Sequence, residues 1–391
     1  MRVLCLPMVE GRGFGTAAEL LAIAESLALR GHQIRFLIGE HHAVRIRDIF
    51  DCTVVSRPIG NPGAKDFPPD CTLGDAALIY GFASSNYLFQ AVRAELSEID
   101  NFRPHVIVSS VKVTSVISSR LRNLPIASIA ASTEAPGFKS SLFPNHITPA
   151  ISYAGANEVL SFYGLPMVGD LAELSFARSD LGIAPTAPML DPSVSNWPHV
   201  EFSGPLLPMS VHLTPLPADS SKARGESNIL VYLNRGSHSA EYERALAIEL
   251  DREFSRGYHV LILDSPVNIA ATENRLTVRS SIPLTVTMPR TTLLISAGGR
   301  GAMQSALLHG VPIVALPGMH AERYFNATAV AQQGACELIC GQDPSPKHVV
   351  QVAKHVLSTH KYYDAASMVG TALREFMGAV KAATLIEALG Q

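Results

Sequence analysis

The chain has 391 residues, of which 47% are apolar and 17% charged, with a formal net charge of −3. That is enough apolar material for two cores of ordinary domain size, and it is not a disordered composition. No Lys/Arg run or basic stripe is present, so nucleic acid is not an expected partner, and no segment approaches the ~20 apolar residues of a membrane span.

Residues Arg2 to Met8 form an apolar run that enters a turn with Gly11, Gly13 and Gly15. The spacing of Leu20, Leu21, Ile23, Ala24, Leu27 and Ala28 predicts an amphipathic helix from Ala17 to Arg30, closed by Gly31 and followed by a strand from Gln33 to Ile38. Strand, turn, helix and strand make the unit of a parallel sheet with right-handed crossovers. The alternation continues with a strand at Asp51–Arg57, a Pro/Gly-rich loop at Gly60–Gly74 and one long helix at Ala76–Ser97. Buried strands follow at Pro104–Ser109 and Ile126–Ala131, then an irregular stretch, Thr133–Pro149, and a helix at Ile151–Tyr163. Between Gly204 and Ser227 the chain is dense in Pro, Ser and charge and reads as a linker.

The second half restarts the pattern. Strands are predicted at Ile229–Leu233, Tyr258–Leu263, Leu276–Arg279, Thr292–Ile295 and Ile313–Leu316. Helices are predicted at Glu241–Ser255, Gly301–Leu308 and Ala321–Gln333, with a helical tail from Pro346 to Leu389. The division this implies is a first Rossmann-like domain at 1–205 that holds an acceptor, a linker at 206–226, and a second Rossmann-like domain at 227–370. The helix at 371–391 is expected to return to the first domain. Two open α/β domains place a ligand cleft at the carboxyl ends of both sheets.

Five cysteines, Cys5, Cys52, Cys71, Cys336 and Cys340, are odd in number and scattered, which argues against a disulfide framework. Cys336 and Cys340 lack a second ligand pair, no Asp-x-Asp pair occurs, and His41-His42 has no third ligand and reads as surface. No metal site is therefore expected. Residues Met1 to Met8 lack a charged leader and cleavage site, so the cytoplasm is the expected compartment.

The richest stretch runs from Thr292 to Gly334. A strand feeds Gly298, Gly299 and Gly301, where a helix starts. Glycines let backbone N–H groups approach an anion, and the helix terminus adds about half a positive charge, which together make a phosphate cradle. Pro283, Pro289, Ala297-Gly298-Gly299-Arg300-Gly301, Gly310-Val311-Pro312, Pro317, Glu322-Arg323 and Asn326-Ala327 keep a spacing that resembles the donor-binding signature of the GT1 family, the antibiotic, plant and animal UDP-sugar transferases. Gly31-His32, Gly204-Pro205 and Gly236-Ser237 agree with it. The resemblance covers nearly the whole chain and is specific mainly over residues 278–334.

The resemblance implies an α/β, GT-B fold, two Rossmann-like domains with parallel sheets facing across a cleft. It implies an inverting, metal-independent transfer of a sugar from a UDP- or dTDP-sugar to a small, hydrophobic bacterial natural product, with no cofactor beyond that co-substrate. Ser237, His238, Gly298, Gly299, Gly301 and Arg300 would meet the diphosphate, the backbone near Ile282 the base, Gln304 the ribose, and His320, Glu322 and Arg323 the sugar. The departures are specific. The family's phosphate-binding His is Ala297, its following Thr is Ala302, its ribose Glu falls at Ser305, and its terminal Gln is Arg323. Arg300 either swings inward to replace the His or faces solvent.

In the acceptor half the family's His or Asp base falls on Thr16, and the Asp that orients it on Ser110, neither of which is a base near neutral pH. Glu10, directly after the first strand, is the carboxylate chosen as base, with Thr16 beside it. Glu19 reads as favourable charge at a helix start. Glu134 and His146 lie in the stretch expected to meet the acceptor. The loss of the dyad keeps open a non-catalytic binding or helper protein of the same fold, and a sugar-nucleotide epimerase. A homodimer is left open.

Overall fold

The structure, a computed structural model, describes residues 1–10, 13–58, 71–209, 228–233, 238–254, 256–263, 265, 276–279 and 284–391. The chain divides into two compact units: Met1–Pro208 with Phe376–Gln391, and Met209–Glu375.

The first unit runs β1 (Arg2–Pro7), α1 (Gly15–Ala28), β2 (Gln33–Gly39), α2 (Glu40–Ala43), β3 (Asp51–Val55), α3 (Leu73–Tyr80), α4 (Ser85–Phe102), β4 (Val106–Ser110), α5 (Val113–Leu121), β5 (Ile126–Ile129), α6 (Ile151–Phe162), β6 (Leu181–Ala184) and β7 (Val200–Phe202). Its seven strands lie in the order β3-β2-β1-β4-β5-β6-β7, every pair parallel. Strands buried on both faces carry near-continuous apolar runs, and β1 and β4 do: Val3, Leu4, Cys5, Leu6, Val106, Ile107 and Val108 are all fully buried. The long helix expected at 76–97 is two helices. Gly81 ends α3 with φ 82, a left-handed conformation that stops the hydrogen-bond ladder, and Ser84 restarts it.

The second unit runs β8 (Asn228–Tyr232), α7 (Ala240–Phe254), β9 (His259–Leu263), β10 (Leu276–Arg279), α8 (Leu284–Thr287), β11 (Thr291–Ser296), α9 (Arg300–Leu308), β12 (Ile313–Ala315), α10 (Ala321–Gln332), β13 (Cys336–Leu338), α11 (Pro346–Ser358) and α12 (Lys361–Arg374). Its six strands lie in the order β10-β9-β8-β11-β12-β13, again all parallel. The final helix, α13 (Ala379–Leu389), belongs to the first unit, where Ala382, Ala383 and Ile386 are buried.

The strand order reverses direction between β1 and β4 in one sheet and between β8 and β11 in the other. At such switch points neighbouring loops leave the carboxyl ends of the strands on opposite faces, and open α/β sheets bind ligands in that crevice. The expected pair of parallel-sheet α/β domains is what the chain forms.

Candidate active site

At the second switch point, β11 ends at Ser296 and the chain reaches α9 through Ala297, Gly298 and Gly299. Gly298 has φ 86, and a Cβ there would lie 2.6 Å from the Arg323 carbonyl oxygen, so the turn is pressed against α10 at a point where only glycine fits. The Gly298 N–H donates to Ser296 Oγ at 3.2 Å. Asn326 Nδ2 donates to the Gly298 carbonyl at 3.2 Å and to Glu322 Oε1 at 2.7 Å, tying α10 to the turn. Gly299, by contrast, is the N-cap of α9 with φ −64, and among the described residues a Cβ at Gly299 or Gly301 would meet nothing within 4 Å. The turn is thus fixed on one side and open on the side where the first N–H groups of α9 have no intrahelical acceptor.

The other donor-side candidates are distributed unevenly. Arg300 is half-buried at the first position of α9. Gln304 and Ser305 are buried one turn later, and the Ser305 hydroxyl finds no hydrogen-bond partner. His320 caps α10; burial first, and then the Arg323 charge, pull its pKa down to about 4, so it carries no positive charge near neutral pH. His238 is not available to a diphosphate. Its side chain is buried, with Nδ1 3.0 Å from Asp343 Oδ1 and Nε2 3.0 Å from the Leu316 carbonyl. It pins the start of α7 to the loops after β12 and β13. Ser237 and Ile282 lie outside the described residues.

At the first switch point, β1 and β4 pair through Pro7 and Ser110, and Met8 N–H donates to the Ser110 carbonyl at 2.9 Å. This brings the segment after β1, the end of β4 and the first turns of α1 together. Glu10 does not face an open site. Its side chain is 4% exposed and that of Lys112 is 6%. Oε1 accepts from Lys112 Nζ at 2.7 Å and from the Tyr87 hydroxyl at 2.5 Å, and Oε2 accepts from the Val9 N–H at 2.8 Å. Burial pushes the carboxyl up, but the Lys112 charge and these hydrogen bonds more than offset it and hold Glu10 below its ordinary range. A buried carboxylate that already accepts three hydrogen bonds and whose basicity is reduced is a poor proton acceptor, which corrects the expectation of Glu10 as base.

The same cluster was invisible in the sequence because its members come from three elements. Val111, between Ser110 and Lys112, has φ 54, a strained conformation for a β-branched residue that turns Lys112 back toward Glu10. Glu95, fully buried behind them, accepts from Ser118 Oγ at 2.5 Å and from the Thr114 hydroxyl, and burial raises its pKa.

Of the two positions that replace the dyad, Ser110 meets a carboxylate. Among the described residues Thr16 Oγ1 has no hydrogen-bond partner, whereas Ser110 Oγ donates to Glu19 Oε2 at 3.5 Å. Glu19 is half-buried, and it stands one turn after Thr16 on the same face of α1. Glu134 lies in a short turn whose carbonyl accepts from Ser175 Oγ at 3.0 Å. His146 is tied to α3, its Nε2 2.9 Å from both oxygens of Asp75. His42 is buried against Phe14, with ring centroids 5.9 Å apart, so that residue is not the surface histidine expected.

No family model matches the sequence. Among curated proteins, the chain is 30% identical over 112 residues to a demethyllactenocin mycarosyltransferase of Streptomyces fradiae, a match that spans 29% of this chain and only 24% of that protein. It is 22% identical over 382 residues to an uncharacterized glycosyltransferase of Methanosarcina mazei, spanning 90% of each. Among solved structures it superposes on the glycotransferase of kitacinnamycin with a TM-score of 0.75 at 16% identity, covering 99% of this chain and 98% of that one. It superposes on the spinosyn rhamnosyltransferase complexed with thymidine diphosphate with a TM-score of 0.70 at 16% identity, each chain covered in full. The fold is therefore GT-B, and these relatives and structural neighbours are glycosyltransferases.

Proposed function

We propose that the protein transfers a sugar, with inversion, from a nucleotide diphosphate sugar to a small, hydrophobic natural-product hydroxyl. The observation that carries this reading is the turn at Gly298–Gly301, locked by α10 behind and open in front, at the switch point of the second sheet. Backbone N–H groups and the α9 terminus there are placed to take up charge as the diphosphate leaves. The thymidine diphosphate held by a structural neighbour makes a dTDP-sugar the first donor to test, with UDP beside it.

With a helix terminus carrying the diphosphate, the transfer needs no divalent ion and no further cofactor. In metal-stripped buffer, added Mg²⁺ or Mn²⁺ should leave the rate unchanged; a strong activation by either ion would overturn this part. Proton removal falls to Glu19. It stands one helical turn from Thr16, with Ser110 orienting it in place of the family's Asp, while Glu10 holds Lys112 in the wall behind.

The donor site has a clean test. Gly299 has a backbone conformation that any residue adopts, and no described residue lies within 4 Å of a Cβ placed there. Gly299→Val should therefore fold normally while blocking phosphate approach, lowering affinity for dTDP or UDP at least ~10-fold, about 1.4 kcal/mol. A folded variant that binds both nucleotides as tightly as the parent would place the cradle elsewhere.

A further inference from the structure

The first unit brings together three side chains that the sequence keeps 75 residues apart at their extremes, Cys71, Asp75 and His146, each with one ligand atom within 4.8 Å of the others. Cys71 and Asp75 are buried, and His146 is largely so. Cys71 and Asp75 flank the first turn of α3, where Thr72 is the N-cap: its Oγ1 accepts from the Asp75 N–H at 3.2 Å and donates to Asp75 Oδ2 at 2.8 Å. Thr72 Oγ1 also lies 2.7 Å from Thr148 Oγ1, so one hydroxyl braces both segments. The packing is close: a Cβ on Gly74 would lie 2.4 Å from Thr148 Cγ2 and 2.8 Å from Ser152 Oγ.

From this geometry we propose that Cys71, Asp75 and His146 bind one Zn²⁺. A thiolate, an imidazole and a carboxylate are the borderline-soft set that zinc takes, whereas Mg²⁺ and Ca²⁺ take oxygen alone. Tetrahedral bonds of about 2.0 Å to N and O and 2.3 Å to S set ligand atoms roughly 3.3–3.6 Å apart. The His146–Asp75 separation of 2.9 Å opens to that value by a few tenths of an ångström. Binding releases the thiol proton and whatever proton joins His146 to Asp75, so the buried carboxylate exchanges one cationic or N–H partner for the metal. Thr72 is the outer-shell group that orients Asp75. Three protein ligands leave one position of the tetrahedron for a solvent molecule. The ion clips the segment that ends at His146 onto α3.

Purified full-length protein should be loaded with Zn²⁺, desalted and assayed for metal. About one zinc per chain is expected. Substituting Co²⁺ should give a thiolate-to-cobalt charge-transfer band. Cys71→Ser should lose that band, and both Cys71→Ser and His146→Gln should lose at least ~100-fold in zinc affinity while keeping the far-ultraviolet circular dichroism of the parent. Zinc-free protein after loading, a cobalt spectrum without the thiolate band, or a folded Cys71→Ser that keeps its zinc would each overturn the proposal. Should Cys71→Ser fail to fold, the cobalt spectrum of the parent decides.

Discussion

Glu10 and Glu19 show how little a residue's position in the chain says about its ionisation. Glu10 follows β1 directly, which made it the natural base, yet Lys112, a partner 102 residues away, takes its charge. Removing one member of a buried pair leaves the other uncompensated, so Lys112→Met should cost about 3–5 kcal/mol in a denaturant titration. The double variant Lys112→Met/Glu10→Gln should recover much of that loss; an unaltered single variant would refute the pairing. The pH dependence has a definite sign. Because the folded pKa of Glu10 is depressed, its contribution is complete above the ordinary carboxylate range and is lost as pH falls through the lower, folded value. The stability gap between parent and Glu10→Gln should therefore be constant near neutral pH and shrink under acid; a gap that widens in acid contradicts the depressed pKa. Catalysis should follow Glu19 instead. Glu19→Gln should lower kcat by about 10²-fold or more, the range for a lost general base, with nucleotide affinity retained. A fully active Glu19→Gln would remove it from the mechanism and leave proton removal to the acceptor itself. His320, neutral from about pH 5 upward, should add nothing to the pH dependence of nucleotide binding. The parent and His320→Gln should show the same profile from about pH 5.5 to about pH 8.

At the scale of elements, periodicity located most helices and the long buried strands, because apolar spacing is local information. Leu276–Arg279 was read to the residue, and α6, α7 and α10 to within one or two. It missed β6, β7 and β13, whose Leu-Gly-Ile-Ala, Val-Glu-Phe and Cys-Glu-Leu are broken by glycine or glutamate and show no continuous apolar run; each pairs in parallel with a neighbouring strand. It also missed the break at Gly81, since a single glycine inside an apolar helical pattern does not reveal its φ. The Gly298–Gly299 turn was legible as a cradle, but the different duties of its two glycines were not. Gly298→Ala forces a side chain into a left-handed conformation and against the Arg323 backbone, so α9 and α10 must part. It should lower the melting temperature of the protein measurably, whereas Gly299→Val should not. If the two variants melt alike, the turn is not clamped as described. His238 and the Cys71–Asp75–His146 group were beyond reach for the opposite reason. Their partners lie 105 and up to 75 residues away, and chain order carries no sign of which loops meet.

At the scale of the molecule, the restart of strand–helix alternation after residue 228 made two α/β bodies readable, the first of which is not contiguous and takes back residues 376–391. The return is built from named contacts. Glu387 accepts from Arg30 Nη1 and meets His32 Nε2, each at 2.6 Å, Arg30 Nη2 donates to the Val380 carbonyl at 2.8 Å, and Lys381 Nζ reaches Glu201 at 3.4 Å. His32 also binds the chain's own amino terminus, 3.0 Å from Nδ1. The ion pairs are partly exposed and count for little. The weight lies in Ile386, Ala382 and Ala383, which are buried completely. Full burial of one isoleucine and two alanine methyls contributes about 3–5 kcal/mol, a large part of the stability of a single domain. Deleting residues 376–391 should therefore lower the unfolding transition of the first unit and leave that of the second unchanged. Glu387→Ala alone should shift it by no more than about 1 kcal/mol. The two units can be followed separately, because nucleotide binding, if it belongs to the second unit, should raise only that unit's transition. A truncated protein that melts like the parent would mean that α13 rests on the first sheet without holding it. A loss of both transitions together would mean that the helix carries stability across the whole chain rather than for the unit it rejoins.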